Sequence, residues 1–429
     1  MLVGPIAQSV EQRTFNPWVD GSSPSGPTPN SISQSASFIS EKEKCQGRII
    51  SRGLNPTHLV QSHISNTCYT KVMDSKSLPT EFASPREFFE KITDRKEIQL
   101  LNNAQIREFF YGKRILITGA GGTIGSAVSR RLVSADIPEV YFLDRDESAL
   151  HALALSLSDT AASHSEKCLV ADVRDLVGLT EVFKEIMPDI VIHTAALKHL
   201  IVLERFPREG FLTNVVGTLN VLNAASASGI RQVLNVSTDK AALPTSVLGK
   251  TKLMAEHIME ELSSSQMLTS SVRFGNVFAS RGSVIETFIH QIENDLPVTI
   301  TDPEVTRFFM SHNEAANLIL ATCMMQTNAV FVQEMGTRIR IVDVVNRLAQ
   351  ALGRSPKVSF LGLQPGEKLH EDLYERDFVA TSNPAIIQLS LQKGTDIAKY
   401  ISLCETPKNN KEALELIEIL LRKIHEKTQ

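Results

Sequence analysis

The stretch Arg114-Ile-Leu-Ile-Thr-Gly-Ala-Gly-Gly-Thr-Ile-Gly-Ser126 decides how the rest of the chain is read. Ile115 to Ile117 form an apolar run with the character of a strand buried on both faces. The run empties into a turn with glycines at 119, 122 and 125, and Ala127, Val128, Leu132 and Val133 follow at helical spacing. Gly119 permits the tight turn, Gly122 lets the backbone approach a pyrophosphate, and Gly125 lets the helix pack against its strand. Free N–H groups and the helix dipole then hold phosphates. The expectation is a dinucleotide site built from Gly119, Gly121, Gly122, Thr123, Ile124 and Gly125. The alternative is a glycine-rich turn that binds nothing.

Composition bounds the rest. A chain of 429 residues with 42% hydrophobic residues suits a globular core. A net charge of −4 gives no basic face for nucleic acid, and no apolar run is long enough to cross a bilayer. The five cysteines (45, 68, 168, 323 and 404) are scattered and lack metal-ligand spacing, so reduced thiols, a cytoplasmic location and no metal are expected.

Upstream, residues 1 to about 40 are rich in Ser, Pro, Gly, Asn and Gln without periodicity, which reads as disordered. The run Ile6 to Thr28 resembles a peptide that recurs when transfer-RNA genes are conceptually translated, so a mis-called start with the protein beginning near Met73 is expected. Ser84-Pro-Arg-Glu87 has the pattern of a helix start, and Glu97 to Phe110 gives a second amphipathic segment.

Downstream, strand and helix signals alternate to about residue 275. The second strand ends in Asp144-Arg145, 19 and 20 positions past Gly125. The carboxylate there favours a free ribose 2′-hydroxyl and hence NAD, whereas the guanidinium favours a 2′-phosphate and hence NADP. Asp172-Val173 ends the third strand, where adenine would lie. In His193-Thr-Ala-Ala-Leu-Lys-His199, the small Ala195 and Ala196 let a nicotinamide pass close to the backbone. The fifth strand ends in Ser237-Thr-Asp-Lys240.

Several of these stretches together resemble one family, the extended short-chain dehydrogenases of polysaccharide biosynthesis, and within it the UDP-N-acetylglucosamine 4,6-dehydratases. The matching stretches are Ile115–Ser126, His193–His199, Thr213–Thr218, Ser237–Lys240, Arg273–Val277, Ser280–Val284, Thr306–Phe309 and Gln364–Glu371. The resemblance implies an α/β fold, a Rossmann-type doubly wound, mostly parallel sheet with a small C-terminal substrate lobe. Residues 1–83 would be the disordered or mis-called extension, 84–112 a helical lead-in and 113–275 the dinucleotide-binding domain. Residues 276–429 would be the lobe, with one strand, about 329–333, returning to the sheet. The tail Glu412 to Ile424 has the apolar spacing of a packed helix. Longer family members have membrane helices and an extra N-terminal domain. This chain looks like a soluble form of the catalytic part alone, expected to be a homo-oligomer.

The implied reaction is redox-neutral. C4 of a UDP-hexosamine gives a hydride to NAD or NADP, the ketone acidifies H5, a base removes it, and the C6 hydroxyl leaves as water with help from an acid. The hydride then returns at C6. By resemblance Asp239 is the acid and Lys240 the base, with Thr238, Ser237 and Lys252 beside the cofactor. Neighbours on a straight strand face opposite ways, so both reach one cleft only if the chain has left the strand. A neutral lysine base calls for a desolvated, cation-rich pocket. One departure stands out: the family's Tyr-x-x-x-Lys appears as Leu248-Gly-Lys-Thr-Lys252, and Leu248 cannot move a proton. Thr238, Ser237, a water or Lys240 is left to take the O4 proton. Lys250 stands where the family has a small Ala and would crowd or recharge that helix face.

On the substrate side the resemblance points to Lys198, Asn276, Arg281, Val284, Thr301, Arg307, Gln364 and Glu367. Arg281 and Arg307 suit a diphosphate. Gln364 replaces the family's Arg, keeping a hydrogen bond but losing a charge. A sugar-nucleotide 4- or 5-epimerase, or an inactive nucleotide-binding module, are the rival readings.

Overall fold

The computed structural model describes Phe82 and residues 84–158, 162–374, 378–390 and 394–428; the N-terminal extension read from the sequence otherwise lies outside the described residues. Phe82, counted in that extension, stacks edge-on against Phe88 with ring centroids 5.0 Å apart.

A nine-stranded sheet forms the centre. In chain order its strands are β1 (Ile115–Thr118), β2 (Val140–Asp144), β3 (Cys168–Val170), β4 (Ile190–His193), β5 (Gln232–Val236), β6 (Leu268–Arg273), β7 (Val330–Gln333), β8 (Phe378–Ala380) and β9 (Ile386–Leu389). Across the sheet the order is β8-β9-β7-β6-β5-β4-β1-β2-β3. Strands β1 to β7 run parallel, and β9 pairs antiparallel with both β7 and β8. This is the Rossmann-type, doubly wound arrangement, with its switch between β1 and β4, where ligands of such sheets bind. One difference from expectation is that three C-terminal strands, not one, join the sheet. β9 is buried and apolar at Ile386, Ile387 and Leu389, whereas β8 is an exposed three-residue edge strand.

The pleat sorts β1 between two cores. Ile115 and Ile117 enter one hydrophobic cluster and Leu116 the other, and Ile190, Ile192 and Val191 of β4 divide the same way. Before β1 lie α1 (Pro85–Thr93), capped by Ser84 with Pro85 at its first position, and α2 (Asn103–Phe110), closed by an Asn102/Gln105 capping box. The first core packs α2, α3 (Thr123–Val133), α4 (Glu147–Leu157) and α9 (His312–Met325) on the sheet. The second core packs α5 (Leu176–Ile186), α6 (Gly217–Ala227), α7 (Val247–Glu261), α11 (Ile397–Leu403) and α12 (Asn410–Thr428). A third core joins α1 to α8 (Val284–Glu293) and α10 (Ile341–Ala351), so the lead-in helix packs with the segment that follows residue 276.

Candidate active site

The C-terminal ends of β1, β2, β4 and β5 open onto one cleft, and the glycine turn forms its floor. Gly119 has φ +69°, and a Cβ there would lie 2.6 Å from the Ala195 backbone. A Cβ on Gly125 would lie 2.3 Å from Gly119 O, so α3 sits directly on the turn. Gly122 caps α3 with no side-chain hydrogen bond, which leaves the first N–H groups of the helix without a side-chain acceptor. Leu143, Asp144, Arg145, Asp172, Val173, Ala195, Ala196 and Thr213 surround the space beyond β2 and β3. Thr213 Oγ1 is buried and finds no hydrogen-bond partner among the described residues. An uncapped helix end, a backbone cradle that a methyl would fill and an orphaned hydroxyl together fit a dinucleotide.

Asp144 is held at both oxygens: Gly121 N donates to Oδ2 at 3.0 Å and Asp146 N to Oδ1 at 3.1 Å. Arg145 lies 3.9 Å from Asp172, which also takes a 2.6 Å bond from Arg174. Burial pushes the Asp172 carboxyl up, but the Arg174 hydrogen bonds and the two guanidinium charges bring it below its ordinary range. Asn214, buried in a π-helical turn, binds both N and O of Leu197 and so fixes the Ala195–Leu197 segment.

The chain leaves β5 at Val236, and Asp239–Ala241 form a 3₁₀ turn, so Asp239 and Lys240 escape strand alternation and meet. Lys240 Nζ donates to Asp239 Oδ1 at 3.0 Å, lies 3.5 Å from Asn276 Oδ1, and lies 3.6 Å from Glu371 Oε1. Thr238 Oγ1 donates to the same Asp239 oxygen at 3.0 Å. Asp239 Oδ2 is buried without a hydrogen-bond partner among the described residues. Ser237 Oγ donates to Glu256, which is also paired with Arg273 at 2.8 Å. Leu248 and Lys252 line the cavity one helical turn apart. Burial brings Lys252 down to about 8 against the opposing pull of Glu256.

Two expectations fail here. The surroundings of Lys240 are rich in carboxylates rather than cations: burial pulls its pKa down, but Asp239 and Glu371 raise it above the ordinary value. Lys250 does not crowd the site; it turns to α12 and pairs with Glu418 at 2.6 Å.

Lys240, Asn276 and Val284 also line a second cavity of about 250 Å³ with Thr301, Arg307, Gln364 and Glu367. Glu367 Oε1 accepts from Arg307 at 2.8 Å and from Thr301 at 3.1 Å, and Gln364 Nε2 turns to Gly362 O at 3.1 Å. Lys198 and Arg281 sit elsewhere. Arg281 donates to Gly121 O at 2.7 Å and its backbone N–H to Thr123 Oγ1 at 3.2 Å, while Lys198 donates to Arg281 O at 2.8 Å. Both line the first cavity, where Arg281 ties the 280–283 loop to the glycine turn and Lys198 ties that loop to the segment after β4. Thr213 and Glu371 are the site residues that sequence reading did not single out, although both lie in stretches that carried the resemblance.

The capsular polysaccharide biosynthesis protein CapD of Staphylococcus aureus is 39% identical over 284 residues, 65% of this chain and 47% of that protein. The chain thus spans about half the length of that relative. A protein named UDP-glucose 4-epimerase from Rickettsia canadensis is 35% identical over 280 residues, 63% of this chain and 80% of its own. Among solved structures, Pen from Bacillus thuringiensis superposes with a TM-score of 0.57 at 32% identity, covering 62% of this chain and 84% of that one. The family model described as polysaccharide biosynthesis protein matches residues 115–389. That segment opens on β1 and closes with β9, so it holds every residue that lines the two cavities and the dinucleotide cleft, and the chain belongs to the polysaccharide biosynthesis protein family.

Proposed function

We propose that the protein is a nucleotide-sugar 4,6-dehydratase acting on UDP-N-acetylglucosamine or a similar UDP-hexosamine for surface glycan synthesis. The observation that supports this reading is the Asp239–Lys240 hydrogen bond of 3.0 Å at the junction of two cavities. One cavity is floored by the glycine turn and the other walled by Thr301, Arg307 and Glu367. A simple 4-epimerase has no use for an acid and a base side by side at C5 and C6.

The turn Gly119–Gly125, with Asp144, Asp172, Val173, Ala195, Ala196, Ser237 and Lys252, would hold NAD or NADP. That group, when bound, accepts hydrogen from C4 and returns it at C6. The sugar nucleotide would lie across Asn276 and Val284, with its uridine and diphosphate toward Thr301, Arg307, Gln364 and Glu367.

At rest Lys240 is an ammonium beside a carboxylate. Moving one proton along their hydrogen bond yields a neutral amine and a carboxylic acid together. The amine takes H5 as the C5–C6 double bond forms. The acid gives its proton to O6 as the C6–O bond breaks, and water leaves. The pair is then again ammonium and carboxylate; the ammonium reprotonates C5, and the proton that left O4 returns to Lys240 by way of solvent, which restores the resting pair. Thr238, committed to Asp239 Oδ1, orients the acid. Leu248 supplies no acceptor for the O4 proton. Lys252, on the same wall and with its pKa near 8, is the group this reading assigns to it.

Incubation with UDP-N-acetylglucosamine in deuterated water tests the reading. The expected product is a 4-keto-6-deoxy sugar with deuterium at C5, lost in Lys240→Ala. A second reading, 4-epimerisation, is favoured by the Rickettsia relative's name; it would leave C5 protiated and C6 hydroxylated. Neither product would mark a binding protein and refute both.

A further inference from the structure

Glu371 has no assigned part in the cleft, yet it is 1% exposed and carries a charge. It comes from the segment after the Gln364–Glu367 turn, beside the backbone bridge between Thr306 and His370. Its Oε1 lies 3.6 Å from Lys240 Nζ and its Oε2 3.8 Å from Lys368 Nζ. Oε2 has no hydrogen-bond partner among the described residues, and Lys368 spends its own hydrogen bond on Ala242 O at 2.7 Å. A buried carboxylate with one oxygen left without a hydrogen bond is costly unless an adjacent charge compensates it. Lys240 is the nearer of its two cations, and Lys240 in turn lies between two carboxylates.

We propose that Glu371 is a positioning residue whose carboxylate anchors the Lys240 side chain at Asp239 and retains within the site the proton that this pair exchanges. The inference rests on the proposed role of Lys240 as the base at C5. Without Glu371, one carboxylate would face an ammonium that is also approached by Arg307, and burial would favour the neutral amine. The proton would then be lost to solvent, and Asp239 would have none to receive. With Glu371, Lys240 lies between two carboxylates, and the proton moves only along the Nζ···Oδ1 bond. The charged groups about Lys240 are Asp239 on its own turn, Arg307 and Glu367 across the second cavity, Glu371 and Lys368 on the segment above, and Lys252 on α7 in the shared wall.

Competitive acetylation of the full-length protein with acetic anhydride, read at Lys240 by peptide mass spectrometry, tests this without any sugar nucleotide. Only the neutral amine reacts. In Glu371→Gln the loss of an opposite charge should lower the Lys240 pKa by about one pH unit or more, making labelling at pH 8 about tenfold faster. Glu371→Asp, which keeps the charge, should label near the wild-type rate. Wild-type labelling in Glu371→Gln, or equal acceleration in both variants, overturns the proposal. Should Glu371→Gln not fold, the wild type decides. With Glu371 intact, Lys240 labelling should rise with pH no earlier than that of the exposed Lys411; an earlier rise overturns the proposal. A protein that labels as expected but leaves UDP-N-acetylglucosamine unchanged would refute the dehydratase reading and not the hold of Glu371 on Lys240.

Discussion

Gly249 carries no functional group, yet the site's geometry turns on it. It is the third residue of α7, and a Cβ added there would lie 2.2 Å from the carbonyl oxygen of Lys240 and 3.0 Å from its carbonyl carbon. Both are backbone atoms, so no rotamer change relieves the clash. To reach ordinary contact in Gly249→Ala, α7 and the Asp239–Ala241 turn must separate by about 1 Å, an overpacking that costs about 1–3 kcal/mol of stability. On the proposed reading the turn aims Asp239 and Lys240 at C6 and C5 of the sugar, where a misplacement of about 1 Å costs about 10²-fold in rate. The glycine turn at 119–125 is not touched by this change. The assay is turnover of UDP-N-acetylglucosamine alongside dinucleotide affinity and thermal melting. Turnover should fall about a hundredfold with dinucleotide affinity preserved. Full turnover, or a loss explained by weakened dinucleotide binding, would refute the reasoning that helix-to-turn contact aims the pair.

Two further outcomes follow from groups fixed in the cleft. Lys252 has its pKa lowered from an ordinary 10.5 to about 8, so the folded state binds fewer protons than the unfolded state between those values. Stability therefore rises with pH across that window, and the cost of burying the charge is fully present below about pH 8. Lys252→Met should abolish turnover yet stabilise the protein at pH 7 by up to about 3 kcal/mol, the difference vanishing near pH 10.5, as melting across pH would register. At the ribose end, Asp144 is fixed by two backbone N–H groups, whereas Arg145 faces Asp172. A 2′-phosphate beside that carboxylate meets a repulsion of about 1–4 kcal/mol, so NAD should bind at least about fivefold more tightly than NADP, a preference that Asp144→Ala erodes in direct titrations.

What was legible in the sequence was local. The β1 run and the glycine turn announce themselves because their causes, burial on both faces and backbone close approach, act within a dozen residues. The cap at Ser84 is equally local. What stayed hidden depends on contacts between distant segments. Arg281 has the residue type of a diphosphate ligand, but its hold on Gly121 and Thr123 depends on the 280–283 loop folding back across the glycine turn, and Lys198 joins the same loop at Arg281 O. Lys250 looked like an intruder in the helix face until α12 supplied Glu418. β8 and β9 were missed because three- and four-residue strands carry too few positions to show a periodicity, and their pairing depends on β7 far upstream.

The surroundings of Lys240 show why residue type alone misjudges a base. Reasoning from the need for a neutral amine points to neighbouring cations, which would indeed strip its proton. A stripped amine is a weaker base, and its lost proton is no longer available to Asp239, which needs one to release the C6 hydroxyl. The arrangement found, a buried carboxylate on each side of the ammonium, answers both needs. It raises the affinity of Lys240 for the proton it must take from C5, and the 3.0 Å bond passes the resting proton to the acid. For an elimination in which acid and base act on adjacent carbons, the quantity that matters is the number of protons the pair holds. Glu371, far along the chain, helps set that number, and no reading of Ser237–Lys240 alone could have revealed it.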